Sequence, residues 1–275
     1  MSVPQNLPGF AEDASALSPP LKWAGGKRWL IPHLLPTWEK HQDKRLVEPF
    51  AGGLAVTLGL RPRFALINDA NTHLISFYKW LQHGLDLRPL AVDFVKDPNV
   101  YYRNRERFNN LIRDGKSASR EAAALFYYLN RTGFNGLCRF NGSGSFNVPF
   151  GKYKSIQYRE HFLEYREVLA PYTFSQGPFE DLETNANDFI YADPPYDVQF
   201  TSYSSGGFTW GDQERLATWL ASRPGPVVAS NQATMRVQEL YEGLGFDVAL
   251  IMAPRRISCD GNREDAREIL ATKGI

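Results

Sequence analysis

Apolar residues recur along this chain in two periods, and the switches between them mark its elements. Arg45-Leu46-Val47-Glu48-Pro49-Phe50 predicts a short strand running into Ala51-Gly52-Gly53. A helix over 54–59 and a second strand over 64–69 follow. Within 71–81 the apolar positions Leu74, Ile75, Phe77, Tyr78 and Leu81 keep helical spacing. The alternation then stops. Helical patterns around 101–113 and 120–130 lead into a Gly/Asn/Ser-rich run over 132–145. Strand-like pieces resume at 172–174, 188–192, 226–229, 246–252 and 268–272, with helical stretches over 212–222 and 234–244. Strand–helix alternation with an irregular interruption predicts a doubly wound α/β domain carrying a second, mostly helical subdomain. The expected boundaries are a poorly ordered tail over 1–20, a core over 21–83 and 167–275, and an insert over 84–166.

Composition narrows the class. A hydrophobic fraction of 43% supports a sizeable packed core, and 18 Phe, 13 Tyr and 6 Trp suit either that core or the stacking of flat ligands. The two cysteines, Cys138 and Cys259, form no disulfide framework, and neither they nor the scattered histidines have zinc-ligand spacing, so no metal is expected. No apolar run reaches the ~18 residues of a membrane span. The N-terminus lacks the basic-then-apolar pattern of a secretory signal, and a cytoplasmic protein is expected.

The net charge of +1 argues against a general polycation, but the charge is unevenly spread. Residues 101–175 hold 12 Lys and Arg against 6 acids, whereas 176–203 hold Glu180, Asp181, Glu183, Asp188, Asp193 and Asp197 with no Lys or Arg. A basic zone beside an acidic one suits a polyanion-binding surface next to a site for something cationic; the alternative is scatter of charge over helix faces.

Three motifs carry candidate chemistry. Glu48-Pro49-Phe50-Ala51-Gly52-Gly53 closes a strand and opens a helix, where glycine permits a tight turn and close approach of a ligand. Asn68-Asp69 ends the next strand, where an acid can bond a ribose diol. No phosphate-binding Gly-Lys-Ser/Thr and no complete dinucleotide glycine pattern follows, so a nucleoside cofactor without pyrophosphate, S-adenosylmethionine, fits best. Asp193-Pro194-Pro195-Tyr196 follows the apolar Phe189-Ile190-Tyr191 and turns the chain stiffly at a strand's carboxyl end, the ligand-binding edge of open α/β sheets. An amine conjugated to an aromatic ring is a poor nucleophile. Acceptors for its two N–H groups, the Asp193 carboxylate and the Pro194 carbonyl, would free its lone pair, and Tyr196 could stack on the base.

These motifs resemble those of the DNA adenine methylase (Dam) family, as does Leu21-Lys22-Trp23-Ala24-Gly25-Gly26-Lys27, and the resemblance covers about residues 21–272. By themselves Trp23 reads as core and Lys27 as surface. The resemblance implies a class I S-adenosylmethionine-dependent methyltransferase core with seven strands and helices on both faces. It further implies that Trp23, Lys27, Asp69 and Asp193 line the cofactor pocket with Gly52 and with Phe50 nearby, and that Asp193, Pro194, Pro195 and Tyr196 form the catalytic turn. The expected reaction is direct methyl transfer to adenine N6 in a base swung out of double-stranded DNA.

The run from Asn130-Arg131-Thr132-Gly133-Phe134 to Pro149-Phe150-Gly151 interleaves Arg and aromatics with Gly and Asn, a composition suited to base edges and to wedging between base steps. It resembles the recognition hairpin of GATC-methylating family members. That implies DNA contacts from Lys22, Arg131, Phe134, Asn135, Leu137, Arg139 and Pro149, although members often carry Tyr at the position of Phe134. The polar loop bearing Arg255 can hold phosphates. A monomer, or a dimer on DNA, is expected. Two competing readings are the same chemistry on RNA or a protein amide, and a DNA-binding module without catalysis.

Overall fold

The computed structural model describes residues 17–90, 92–196, 207–254 and 266–275. Its centre is a seven-stranded sheet in the order β3-β2-β1-β4-β5-β7-β6. The strands are β1 (Arg45–Glu48), β2 (Ala65–Asp69), β3 (Tyr172–Gln176), β4 (Asp188–Ala192), β5 (Val227–Gln232), β6 (Asp247–Ala253) and β7 (Ala266–Lys273). The first five run parallel, and β7 enters antiparallel between β5 and β6. All seven predicted strands form.

Period-two alternation sorts the strand side chains onto two faces. Leu46, Ile67, Phe189 and Tyr191 join one buried cluster, while Val47, Leu66, Ile190 and Ala192 join the other. The second face is covered by α7 (Trp210–Ala221) and α8 (Met235–Gly243), and the first by the remaining helices. These are α1 (Ile31–Trp38), α2 (Ala55–Leu60), α3 (Thr72–Gln82), α4 (Pro98–Arg113), α5 (Arg120–Thr132) and α6 (Leu163–Leu169). Helices on both faces of a largely parallel sheet fulfil the expected fold class.

The segment over 84–166 shares its core with the sheet. Phe77 of α3 stacks on Tyr127 of α5 at 5.8 Å, and both belong to the buried cluster that reaches Leu46 and Ile67. Residues 132–151 then form a hairpin-like loop, held by antiparallel bridges between Gly133 and Phe150 and between Phe140 and Phe146.

Two helices escaped the periodicity. Pro32 and Pro36 interrupt the pattern of α1; a proline in the first turn needs no donor, whereas Pro36 lies inside a helix only eight residues long. The seven-residue α6 is too short to establish a repeat. The helix expected from Leu54 begins at Ala55, because Leu54, fully buried, adopts a left-handed φ of 60° as its N-cap. Of the expected tail, 1–16 lie outside the described residues; Ser18 is anchored, its carbonyl accepting from the Tyr165 hydroxyl at 2.6 Å. No described helix is long and apolar enough to cross a membrane.

Candidate active site

The carboxyl ends of β1, β2 and β4 meet in two linked clusters. In the first, the turn after β1 is stitched to the end of β2: the Ala51 amide donates to the Asn68 carbonyl at 2.8 Å and the Gly52 amide to Asp69 Oδ2 at 3.1 Å. Asp69 Oδ1 accepts from the Asn71 amide at 2.9 Å, and burial raises the proton affinity of this carboxyl. Gly52 sits at φ 44°, a left-handed torsion suited to glycine, and its carbonyl accepts from the Tyr78 hydroxyl. The close approach anticipated at these glycines is made by Trp23. A Cβ on Gly52 would lie 2.9 Å from the indole Nε1, and one on Gly53 the same distance from the Trp23 Cβ. Phe50 turns to the other side and packs on Phe179 and Phe208 at 5.8 and 5.7 Å.

The second cluster corrects the surface reading of Lys27, which is only 4% exposed. Its ammonium lies 3.2 Å from Asp193 Oδ1 and 3.6 Å from Glu268 Oε2, and it donates to the Tyr196 hydroxyl at 2.6 Å and the Gly25 carbonyl at 3.2 Å. A buried ammonium demands such partners, because its lone desolvation would be prohibitive. Asp193 also accepts from Ser230 Oγ at 2.9 Å, and Ser230 shares a hydrogen bond with Tyr191. Burial pushes the Asp193 and Glu268 carboxyls upward, opposed by the Lys27 charge, and holds the Tyr196 phenol well above its usual range. The cluster still meets solvent: one fifth of the Asp193 side chain and part of Tyr196 are accessible, and Pro195 is exposed.

The proline turn is braced from behind. Gln213 of α7 donates to the Pro195 carbonyl at 2.8 Å, and Asn231 of β5 donates to Gln213 Oε1 at 2.9 Å, both side chains being buried. Gln213, Asn231, Ser230 and Glu268 were all missed by sequence reasoning. The one available signal was Glu268, an acid that follows Arg267 at the head of the apolar run Ile269-Leu270-Ala271.

The loop over 132–151 gathers most of the expected DNA residues. The Phe134 amide donates to the Pro149 carbonyl at 2.8 Å; Pro149 is exposed, and Phe134 is 45% exposed. Asn135 is exposed at φ 51°, and Leu137 is half-buried. Exposed Arg139 is steadied by Asn147, with Nε donating to Oδ1 at 2.8 Å. Lys22 is more constrained: its ammonium donates to the Arg131 carbonyl at 2.9 Å and lies 3.4 Å from the Tyr153 ring centroid. Burial, then Arg131, lower its pKa to about 8. Arg131 itself donates to the Gln157 carbonyl at 2.6 Å. Arg255 lies outside the described residues.

The basic zone is locally compensated. Arg107, Arg113 and Arg159 pair with Glu121, Glu106 and Glu164, while exposed Lys152 and Lys154 flank Tyr153. Among the described residues no group of three His, Cys, Asp or Glu is placed to hold a metal.

Comparisons with known proteins identify the family. The chain is 36% identical over 273 residues to a DNA adenine methylase of Escherichia coli K12, covering 91% of this chain and 93% of that one. It is 34% identical over 267 residues to the retron Ec67 DNA adenine methylase of Escherichia coli, covering 92% and 90%. It is also 34% identical over 278 residues to the type II methyltransferase M.MjaIII of Methanocaldococcus jannaschii, covering 90% and 95%. The family profile matches residues 23–256, and this chain belongs to the D12 class N6 adenine-specific DNA methyltransferases.

Proposed function

We propose that this adenine-specific DNA methyltransferase uses S-adenosylmethionine to methylate adenine N6 within GATC in duplex DNA. The observation that carries the reading is the Lys27–Asp193–Glu268–Tyr196 cluster beside the Gly52–Asp69 turn. Its residues fit the donor. Trp23 presents an aromatic surface against Gly52, and Asp69 offers a carboxylate at the end of the second strand. Two carboxylates around one ammonium suit a cationic sulfur. When bound, S-adenosylmethionine supplies an electrophilic methyl group on that sulfur. Trp23, Lys27, Gly52 and Asp69 would hold it, with Phe50 backing the turn.

Toward the base, the Asp193 carboxylate and the Pro194 carbonyl accept the amino hydrogens of an extruded adenine; the Pro195 carbonyl is already engaged by Gln213. With both hydrogens held, the nitrogen lone pair leaves conjugation and can attack. The raised proton affinity of Asp193 lets it take the surplus proton as the N–C bond forms. Tyr196 supplies the stacking plate. Arg139 and Leu137 read base edges, Phe134 wedges into the stack, and Lys22, Arg131, Asn135, Pro149 and Arg255 complete the contacts. The segment over 84–166 acts as the recognition unit.

The test is methyl incorporation from labelled S-adenosylmethionine into duplexes with and without GATC, with RNA and protein as comparison substrates. GATC duplex alone should be labelled, and Asp193→Ala should lose at least about 100-fold in rate. Labelling independent of GATC would refute the target, and a near-normal Asp193→Ala rate would refute the catalytic role.

A further inference from the structure

Asn130 lies in the last turn of α5 and is only 2% exposed. A buried carboxamide is costly unless its donors and acceptor are all engaged. Here they are. Oδ1 accepts from the Lys22 amide at 2.8 Å, and Nδ2 donates to the Lys22 carbonyl at 2.8 Å and the Gly136 carbonyl at 3.0 Å. One side chain therefore clasps both peptide groups of Lys22, the residue before Trp23, and the peptide before Leu137. The two segments touch as well: Gly136 adopts φ 64°, and a Cβ there would collide with the Lys22 Cβ.

A second tie runs between the same two regions. Asn71 donates its amide to Asp69 Oδ1 at 2.9 Å and its side-chain Nδ2 to Cys138 Sγ at 3.3 Å. Cys138 stands between Leu137 and Arg139. Residues 136–138 are thus fastened at two points to neighbours of Trp23 and Asp69. We infer that Asn130 is a positioning residue that couples duplex binding at the recognition loop to cofactor binding at Trp23 and Asp69, with Asn71 as the second tie. This rests on the reading above that those two residues face the cofactor and that Leu137 and Arg139 face DNA. A loop that shifts on DNA cannot do so without pulling on Lys22 and Asn71, and by linkage the coupling is reciprocal.

The test uses the full chain and S-adenosylhomocysteine, the demethylated product of the donor. Its Kd is measured by calorimetry alone and with saturating GATC duplex, and the duplex Kd with and without it. Duplex should tighten cofactor-product binding at least about fivefold in the unsubstituted chain, and the reverse ratio should match. Asn130→Asp keeps the shape but sets oxygen against the Lys22 and Gly136 carbonyls; its ratio should fall to within about twofold of one. Cys138→Ala removes only the second tie and should give an intermediate ratio, a milder variant that serves if the first does not fold. Arg139→Ala should weaken duplex binding yet keep the ratio at saturation. A ratio of one in the unsubstituted chain, or an undiminished ratio in Asn130→Asp or Cys138→Ala, overturns the coupling. Failure of the unsubstituted chain to bind S-adenosylhomocysteine at all overturns the proposed donor instead.

Discussion

Gly53 does not occupy the left-handed region, yet a methyl group there would lie 2.9 Å from the Trp23 Cβ. Its smallness is therefore a packing requirement set by the Trp23 side chain from the start of the core, and no positive φ enters. Gly53→Ala must displace Trp23, because contact that short forces movement. The expected outcome is a loss of at least about tenfold in S-adenosylhomocysteine affinity, about 1.4 kcal/mol or more by calorimetry, with a smaller change in duplex affinity. Equal losses in both would mean that the substitution disturbs the whole fold. Lys27 carries the complementary lesson. A lone lysine in a Gly-rich stretch has the composition of surface, and only three-dimensional convergence of Asp193, Glu268 and Tyr196 explains its burial.

The proposed recognition loop is an element of irregular backbone held by a few long-range bonds, and two of its exposed candidates would act by different physics. Phe134 is an exposed apolar residue whose amide is bonded to Pro149, whereas Arg139 is a guanidinium oriented by Asn147. If Phe134 assists extrusion of the base, Phe134→Ala should slow methylation of paired GATC by roughly tenfold and recover when the target adenine faces a mismatch, since extrusion then costs less. Arg139→Ala should lower the preference for GATC over a one-base variant by roughly 10–100-fold, matching the energy of one bidentate base contact, and a mismatch should not rescue it. Single-turnover rates on the three duplexes separate the two. The same element shows what sequence can and cannot convey. The strands and the longer helices were legible because a half-buried surface imposes a period on its own residues. The proline turn and the Gly52 turn were legible because backbone chemistry restricts which residues can occupy them. The braces were not: Gln213 on Pro195, Asn130 on Lys22 and Ser230 on Asp193 join residues far apart in the chain through single polar side chains, which leave no periodic trace.

Over the whole molecule, a half-buried histidine and a buried glutamate pull stability in opposite directions with pH. Burial lowers the His73 imidazole to about 4, where it stacks on Phe140 at 4.7 Å. The unfolded chain therefore binds the extra proton first, and stability is lost as pH falls from about 6.5 towards 4. Burial raises the Glu48 carboxyl to about 8, and the Thr57 hydroxyl donates to it. The folded state keeps that proton where the unfolded state has released it, so stability is lost as pH rises from about 4.5 through 8. Asp69, Asp193 and Glu268, also raised by burial, act in the Glu48 direction. Glu48→Gln isolates the Glu48 contribution, because an amide keeps both an acceptor for Thr57 and a donor but cannot ionise. At pH 5 its melting temperature should match that of the unsubstituted chain. The variant should then gain progressively, to roughly 5–10 °C at pH 8.5, consistent with a few kcal/mol in a domain of this size. A gap that stays constant across pH 5–8.5 would mean that Glu48 does not change its protonation on folding, and that the carboxyls of the active cluster carry the alkaline loss instead.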